Sequence, residues 1–181
     1  AAGAESISLI PRNDAPVYAS NDERLAALRG ALTAIKPMLE AADMIALVEP
    51  LGFLSSSLRS KQETVEAIKS VGGEGRFKLV HDTFHHHLAG GGPIFPEHTG
   101  IVHISGVVDP SLKTEAMQDG HRILVDADDR LGNIAQMRAL LDAGYTGAFS
   151  YEPFSPEVHA LADPEDAHKQ SMQFIRSALA A

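Results

Sequence analysis

The stretch KLVHDTFHHHLAGG, residues 78–91, decides the fold because its short apolar run ends directly in an ionisable pair, His81-Asp82. The same arrangement occurs in MIALVE, residues 44–49, where the apolar run ends in Glu49. Apolar runs of this length are too short for a helix and are typical of strands covered on both faces. We therefore predict buried parallel strands with ionisable residues at their ends.

Amphipathic helices separate the predicted strands. Apolar residues recur at helical spacing from Leu25 to Leu39, although Pro37 is expected to bend or shorten this helix. Strands that alternate with helices imply right-handed βαβ units and a parallel sheet. Further helices are predicted at 60–71, 133–143 and 165–179, and strands at 5–10, 44–48, 77–80, 100–108 and 147–151.

The composition indicates a globular protein, with 44% hydrophobic and 22% charged residues, and we expect one domain over residues 1–181. Because the chain has no cysteine, disulfides and thiolate metal sites are excluded. Acidic residues outnumber basic ones by 24 to 15, which argues against a nucleic-acid partner. No apolar run approaches the roughly 20 residues needed to cross a bilayer, so we expect a cytoplasmic protein with no membrane partner.

Four of the five strands end in an ionisable residue. The carboxyl ends of parallel strands share one rim of the sheet, so these side chains are expected to converge. One such carboxylate alone would suggest a helix cap or a solvated charge. Three converging carboxylates repel each other, however, and a divalent cation would stabilise them. Oxygen and imidazole ligands suit Mn²⁺, Mg²⁺, Co²⁺ or Zn²⁺. The four residues are Glu49, Asp82, His103 and Glu152.

The motifs at these strand ends resemble those of a known superfamily. They are Val-Glu-Pro at 48–50, His-Asp-Thr-Phe-His at 81–85, Val-His-Ile at 102–104 and the run GYTGAFSYEP at 144–153. This order is similar to that of the xylose-isomerase-like TIM barrels, which include inosose isomerases and dehydratases, hydroxypyruvate isomerase and ketose 3-epimerases. The resemblance implies one divalent ion, with Mn²⁺ expected first, on the ligands Glu49, Asp82, His103 and Glu152.

The resemblance also implies roles for further residues. His85 matches the histidine of the family's Asp-x-x-His step, and the resemblance implies a catalytic residue that contacts a substrate oxygen and helps to stabilise negative charge. His81, His86 and His87 have no match and are expected to be structural. Arg122 lies where family members often carry a substrate-contacting arginine, and the alternative is a surface arginine. Three aromatic residues near the ligand-bearing strands are expected to form either an apolar pocket wall or core: Phe53, Phe84 and Phe154.

The length departs from the family's pattern. An α/β TIM barrel of eight βα units needs roughly 250 residues, and the chain has 181. The family's four ligands lie on the last four strands, so we expect this chain to cover about the last five βα units of a (β/α)8 barrel. About three N-terminal units would then be missing from the sequence. The alternative is a native half-barrel that dimerises.

The chemistry implied is proton transfer beside a carbonyl. A metal-dependent isomerase or epimerase would act on a small polyhydroxylated ketone or aldose, a sugar or cyclitol, through an enediolate, with Glu49 and Glu152 as the catalytic carboxylates. The family's 3-epimerase branch tends to have a glutamate where this chain has Ser55, which weakens that reading. The alternatives are an inosose-type dehydratase, a non-catalytic sugar-binding barrel and, less consistent with the acidic composition, a zinc endonuclease. A homo-oligomer is also expected.

Overall fold

Strands and helices alternate along the chain in the computed structural model, which describes residues 3–14 and 18–181. Residues 1–2 and 15–17 of the predicted domain lie outside this description. The strands are β1 (Ser6–Leu9), β2 (Ile45–Val48), β3 (Phe77–Asp82), β4 (Thr99–Ile104) and β5 (Phe149–Tyr151). The α-helices are α1 (Asn21–Ala42), α2 (Lys61–Ser70), α3 (Thr83–Leu88), α4 (Asn133–Asp142), α5 (Pro156–His159) and α6 (Pro164–Ala180). Short 3₁₀ turns occur at Pro96–His98, Thr114–Ala116 and Asp119–His121.

The five strands form one sheet in the order β1-β2-β3-β4-β5, and every neighbouring pair is parallel. Each strand is therefore followed in space by the next strand of the sequence, as successive βα units require. The register pairs Asp82 with His103, which brings two of the strand-end residues to the same level. This half-barrel of parallel strands confirms the predicted α/β class.

Two large apolar clusters hold the helices against the sheet. The first joins α1 and α2 to β2 and β3 through Leu32, Leu39, Ala46, Val48, Leu58, Ala67, Ile68 and Phe77. The second joins α4 and α6 to β4 through Val102, Ile104, Val125, Met137, Leu140, Tyr145 and Ile175. Because these clusters lie beneath the sheet's carboxyl rim, they fix the strands whose ends carry the candidate ligands.

The first helix is not shortened at Pro37, and the predicted end of the fourth strand is wrong. Helix α1 continues past Pro37 to Ala42, because Leu39 beyond the proline is 3% exposed and packs into the first cluster. Strand β4 ends at Ile104 rather than at residue 108, because Gly106 forms an antiparallel bridge with Ile123 and leads the chain away from the sheet. Among the described residues, no helix is both long and apolar enough to span a membrane.

Candidate metal centre at the strand ends

The four strand-end residues lie close together. One potential ligand atom from each of them lies within 4.8 Å of the others, in the group Glu49, Asp82, His103 and Glu152. The sheet itself positions the two glutamates, because the Glu49 N–H donates to the Leu9 carbonyl and the Glu152 N–H donates to the Ile104 carbonyl. The predicted convergence is therefore present, while the role of these residues as ligands stays a prediction.

His103 carries a positive charge among the carboxylates. Its Nδ1 lies 3.4 Å from Glu49 Oε1 and 3.3 Å from Glu152 Oε2. Burial by itself would lower the pKa of His103, but the hydrogen bonds and negative charges of Glu152 and Glu49 outweigh it and raise the pKa to about 10. The carboxylates thus favour a positive charge between them. A divalent metal bound to the neutral imidazole would supply that charge in place of the proton on His103.

The spacing and chemistry of these side chains fit a divalent metal. Oxygen and nitrogen ligands bind such ions at roughly 2.0–2.2 Å, so ligands on opposite sides of an ion lie about 4.0–4.4 Å apart. The observed limit of 4.8 Å is within a few tenths of an ångström of that span. Three carboxylates and one imidazole form a donor set that suits Mn²⁺, Co²⁺ or Zn²⁺.

Arg122 is part of the cluster and not a surface residue, since it is 1% exposed. Its Nη2 donates to Asp82 Oδ2 at 2.6 Å and to Glu152 Oε2 at 2.8 Å. Its Nη1 donates to Asp119 Oδ1 at 3.1 Å and its Nε to Ser105 Oγ at 2.9 Å. Burial would raise the pKa of Asp82, but the charge of Arg122 keeps it below the ordinary value. The guanidinium therefore holds Asp82 ionised.

Aromatic rings surround Arg122 and His85. The guanidinium carbon lies 4.9 Å from the Phe84 ring centroid and 5.0 Å from that of Phe154, so these two rings pack on the arginine. Phe53 packs edge-on against His85 with the ring centroids 5.1 Å apart. The three phenylalanines thus contribute to the wall of the site, and Phe84 is also part of the core.

His85 lies beside the cluster at the start of α3. Its backbone N–H donates to Asp82 Oδ1 at 2.8 Å, so Asp82 also caps this helix. The side chain is 4% exposed, and its Nδ1 has no hydrogen-bond partner among the described residues. A buried imidazole nitrogen without a partner is available to a bound molecule. The predicted contact with substrate is compatible with this position and stays a prediction.

The other three histidines of the tract have partners outside the cluster. His81 Nε2 lies 2.9 Å from Gln136 Oε1, and His87 Nε2 lies 3.4 Å from Thr114 Oγ1. His86 Nδ1 lies 2.8 Å from Lys61 Nζ. Since each histidine has a partner of its own, the structural roles expected for them agree with these contacts.

Two residues that position Arg122 were not found from the sequence. Asp119 lies three residues before Arg122, a spacing that could have signalled an ion pair. Ser105 follows His103 by two residues and is completely buried, but nothing in the sequence distinguishes it from other strand-end serines.

Comparisons with known proteins agree with this architecture. The sequence model of the xylose isomerase-like TIM barrel matches residues 1–178. A xylose isomerase domain containing protein from Salmonella typhimurium LT2 is 32% identical with a TM-score of 0.83, over 99% of this chain and 64% of that chain. A search among curated proteins found no match.

Two more distant structures share the fold. An IolI protein with a bound zinc atom is 19% identical with a TM-score of 0.82, over 97% of this chain and 63% of that chain. A D-psicose 3-epimerase from Clostridium cellulolyticum H10, determined with D-tagatose, is 17% identical with a TM-score of 0.63, over 90% of this chain and 58% of that chain. These two structures show that the fold is shared.

The chain spans slightly less than two thirds of the length of each of these relatives. The five parallel strands lie in consecutive order, and nearly the whole chain matches part of a longer barrel. The chain therefore forms a partial TIM barrel. This chain belongs to the xylose isomerase-like TIM barrel family.

Proposed function

We propose that this chain carries the metal-binding part of an isomerase or epimerase that acts on a small polyhydroxylated ketone or aldose. The observation that supports this most is the cluster of three carboxylates and His103 at the strand ends, with ligand atoms within 4.8 Å of one another. Family membership supports the same class of chemistry. Mn²⁺ is the proposed ion, and residues 1–181 are proposed to belong to one domain.

The residues that would hold the ion are Glu49, Asp82, His103 and Glu152. When bound, a divalent metal would polarise the adjacent hydroxyl and carbonyl oxygens of the substrate and so acidify the C–H beside the carbonyl. Asp82 is proposed as a ligand and not as a proton carrier, because the His85 N–H and the Arg122 guanidinium hold both of its carboxylate oxygens, whereas Arg122 and His103 contact the same oxygen of Glu152.

Glu49 and Glu152 are the proposed proton carriers. Glu49 Oε1 lies 3.4 Å from His103 Nδ1 and Glu152 Oε2 lies 3.3 Å from it, so the two carboxylates flank the same imidazole nitrogen. One would remove the proton from the substrate carbon and the other would return a proton to the enediolate. Glu152, with its side chain 28% exposed, is the more accessible of the two.

Arg122 and His85 are proposed to bind substrate oxygens. The buried His85 ring has an unpaired Nδ1, and the Arg122 guanidinium is fixed by three carboxylates and a serine, so the guanidinium is already oriented before a substrate binds. Both would stabilise negative charge on the enediolate. A sugar or an inositol-derived ketone meets these requirements. Cytoplasmic location and a homo-oligomeric assembly stay predictions from the sequence.

Metal content tests the proposal. We expect elemental analysis of the purified protein, loaded with Mn²⁺, to give close to one ion per chain, and the double variant His103→Ala, Glu152→Gln to lose it. The matched control is Glu74→Gln, His159→Ala, which changes the same residue types at exposed positions. If the wild-type protein takes up no Mn²⁺, Co²⁺ or Zn²⁺, the proposal is wrong.

The reaction class is tested by exchange in D2O. Incubation of the metal-loaded protein with ketoses and inososes should introduce deuterium at the carbon beside the carbonyl, and Glu152→Gln should abolish the exchange. Product analysis then separates the enzymes: a rearranged or epimerised sugar supports the proposed function, whereas loss of water from the substrate identifies the dehydratase alternative.

A further inference from the structure

A second polar cavity lies on the same rim, between the start of α2 and the end of α3. Its volume is about 250 Å³, and its described lining contains basic and amide groups but no Asp or Glu. α3 borders both sites, since its cap Asp82 belongs to the candidate metal centre and its His86 lines this cavity. We call this site the Lys61 cavity, and its lining includes Arg59, Ser60, Lys61, Gln62 and His86.

Lys61 is a buried cation without a counter-ion. It is 9% exposed, its Nζ lies 2.8 Å from His86 Nδ1, and among the described residues no carboxylate oxygen lies within 4.0 Å of it. It is also the first residue of α2, where the helix dipole disfavours positive charge. Burial accordingly lowers the pKa of Lys61 to about 8. A buried positive charge with no carboxylate in contact lowers the stability of the fold unless a ligand compensates it.

The neighbouring groups add further donors. Arg59 is fixed by hydrogen bonds from Nε to the Gly52 carbonyl at 3.0 Å and from Nη2 to the Leu88 carbonyl at 3.1 Å, and neither acceptor neutralises its charge. The Ser60 hydroxyl caps α2 by accepting from the Glu63 N–H. Lys61 and Gln62, the first two residues of α2, also line the cavity. Their backbone N–H groups have no acceptor within the helix and can donate to a ligand.

We propose that the Lys61 cavity binds a phosphate dianion, either free or as a phosphate monoester. Lys61, Arg59 and the first N–H groups of α2 would supply charge-assisted hydrogen bonds to its oxygens. The cavity volume of about 250 Å³ is several times the ~30 Å³ that one water occupies, so it has room for the anion. This inference needs no metal at the strand ends and goes beyond the proposed function.

Calorimetric titration of the metal-free protein with inorganic phosphate, in a buffer without other oxyanions, tests the site. We expect saturable binding at one site per chain. Lys61→Met should weaken it by at least about tenfold, because a buried charge-assisted donor is lost. Lys69→Met is the matched control: it removes an exposed lysine at the other end of the same helix and should leave phosphate binding unchanged.

A second variant keeps the test valid if Lys61→Met fails to fold. Gln62 is exposed at the start of α2, where glutamate is tolerated, so Gln62→Glu places a negative charge at the cavity without disturbing the core. It should weaken phosphate binding several-fold. Absence of saturable binding, or wild-type affinity in both Lys61→Met and Gln62→Glu, would overturn the inference.

The two sources of phosphate are separated by titrating a polyol phosphate monoester. If the monoester binds more tightly than inorganic phosphate and loses that advantage in the His103→Ala, Glu152→Gln variant, the anion belongs to a substrate that reaches the strand ends. If the two bind equally, the ligand is free phosphate. Either result supports an anion site at Lys61.

Discussion

The candidate metal centre and the Lys61 cavity place the same side chain, histidine, under opposite electrostatic influences. At the strand ends, burial lowers the pKa of His103, but Glu152 and Glu49 overcome this and raise it to about 10. In the Lys61 cavity, burial lowers the pKa of His86 and the nearby Lys61 lowers it further, to about 4. Burial has the same sign in both places, so the neighbouring charge decides the protonation state.

The comparison also shows what each site lacks. The strand-end cluster has three carboxylates against His103 and Arg122, and it can bind a further cation once His103 gives up its proton. The Lys61 cavity has basic groups without a carboxylate in its described lining. Two sites of opposite sign therefore border α3, and each favours a ligand whose charge opposes its own.

The largest effect is expected from removing the buried charge at the acidic site. Asparagine at position 82 can still cap α3, but the variant Asp82→Asn leaves Arg122, 1% exposed, without its closest carboxylate. We expect the free energy of unfolding of the metal-free protein to fall by about 3 kcal/mol, measured by urea denaturation. Glu152→Gln is the matched control, and because the Glu152 side chain is 28% exposed its cost should be about 1 kcal/mol. Equal losses in both variants would contradict the burial argument.

The strand ends could be predicted because one local pattern repeats. An apolar run that ends in a charged residue occurs at Glu49 and Asp82, and parallel strand order then brings such residues together without further information. The end of β4 could not be predicted in this way, because residues 105–108 contain no charged residue and no proline, and the tertiary bridge between Gly106 and Ile123 ends the strand.

Contacts that loops and helices make with distant segments could not be predicted from the sequence. Arg122 reaches Asp82 across 40 residues, and its burial depends on the long connection that carries it back over the strand ends. Lys61 and His86 are separated by 25 residues on two helices, so their contact depends on where each helix starts. The resemblance to a family indicated a role for Arg122, but no local pattern indicated the Lys61 cavity.

A smaller effect, from the basic site, should appear as a pH dependence of stability. Between about pH 8, the folded pKa of Lys61, and 10.5, its ordinary value, the unfolded chain binds more protons, so the contribution of Lys61 to the free energy of unfolding rises with pH. Below pH 8 both states are protonated and the cost of the buried charge is fully present. The groups that act on Lys61 are His86, whose Nδ1 lies 2.8 Å from Nζ, and, at longer range, Asp82 and His81.

The measurement is the difference between wild type and Lys61→Met across this range. We expect the variant's relative stability to fall by about 2 kcal/mol from pH 7 to about pH 9.5, in phosphate-free buffer, as wild-type Lys61 becomes neutral. Lys69→Met, at an exposed position, should show a flat difference. If the two variants have the same pH profile, Lys61 does not carry an uncompensated buried charge.

The smallest effect is expected from Ser105→Ala, which tests how the acidic site positions Arg122. The completely buried Ser105 hydroxyl accepts from Arg122 Nε at 2.9 Å. This contact fixes the guanidinium at Nε, whereas the carboxylates hold its two Nη atoms. Its loss should cost about 1 kcal/mol of stability. Because the misplaced guanidinium would no longer match the enediolate, deuterium exchange into a substrate should also slow several-fold. Ser155→Ala is the matched control: Ser155 is 4% exposed, and its hydroxyl caps α5. Its backbone N–H donates to the Arg122 carbonyl, a contact that alanine keeps, so the substitution should lower stability by a similar amount but leave exchange unchanged. If both variants slow exchange equally, Ser105 acts only through stability.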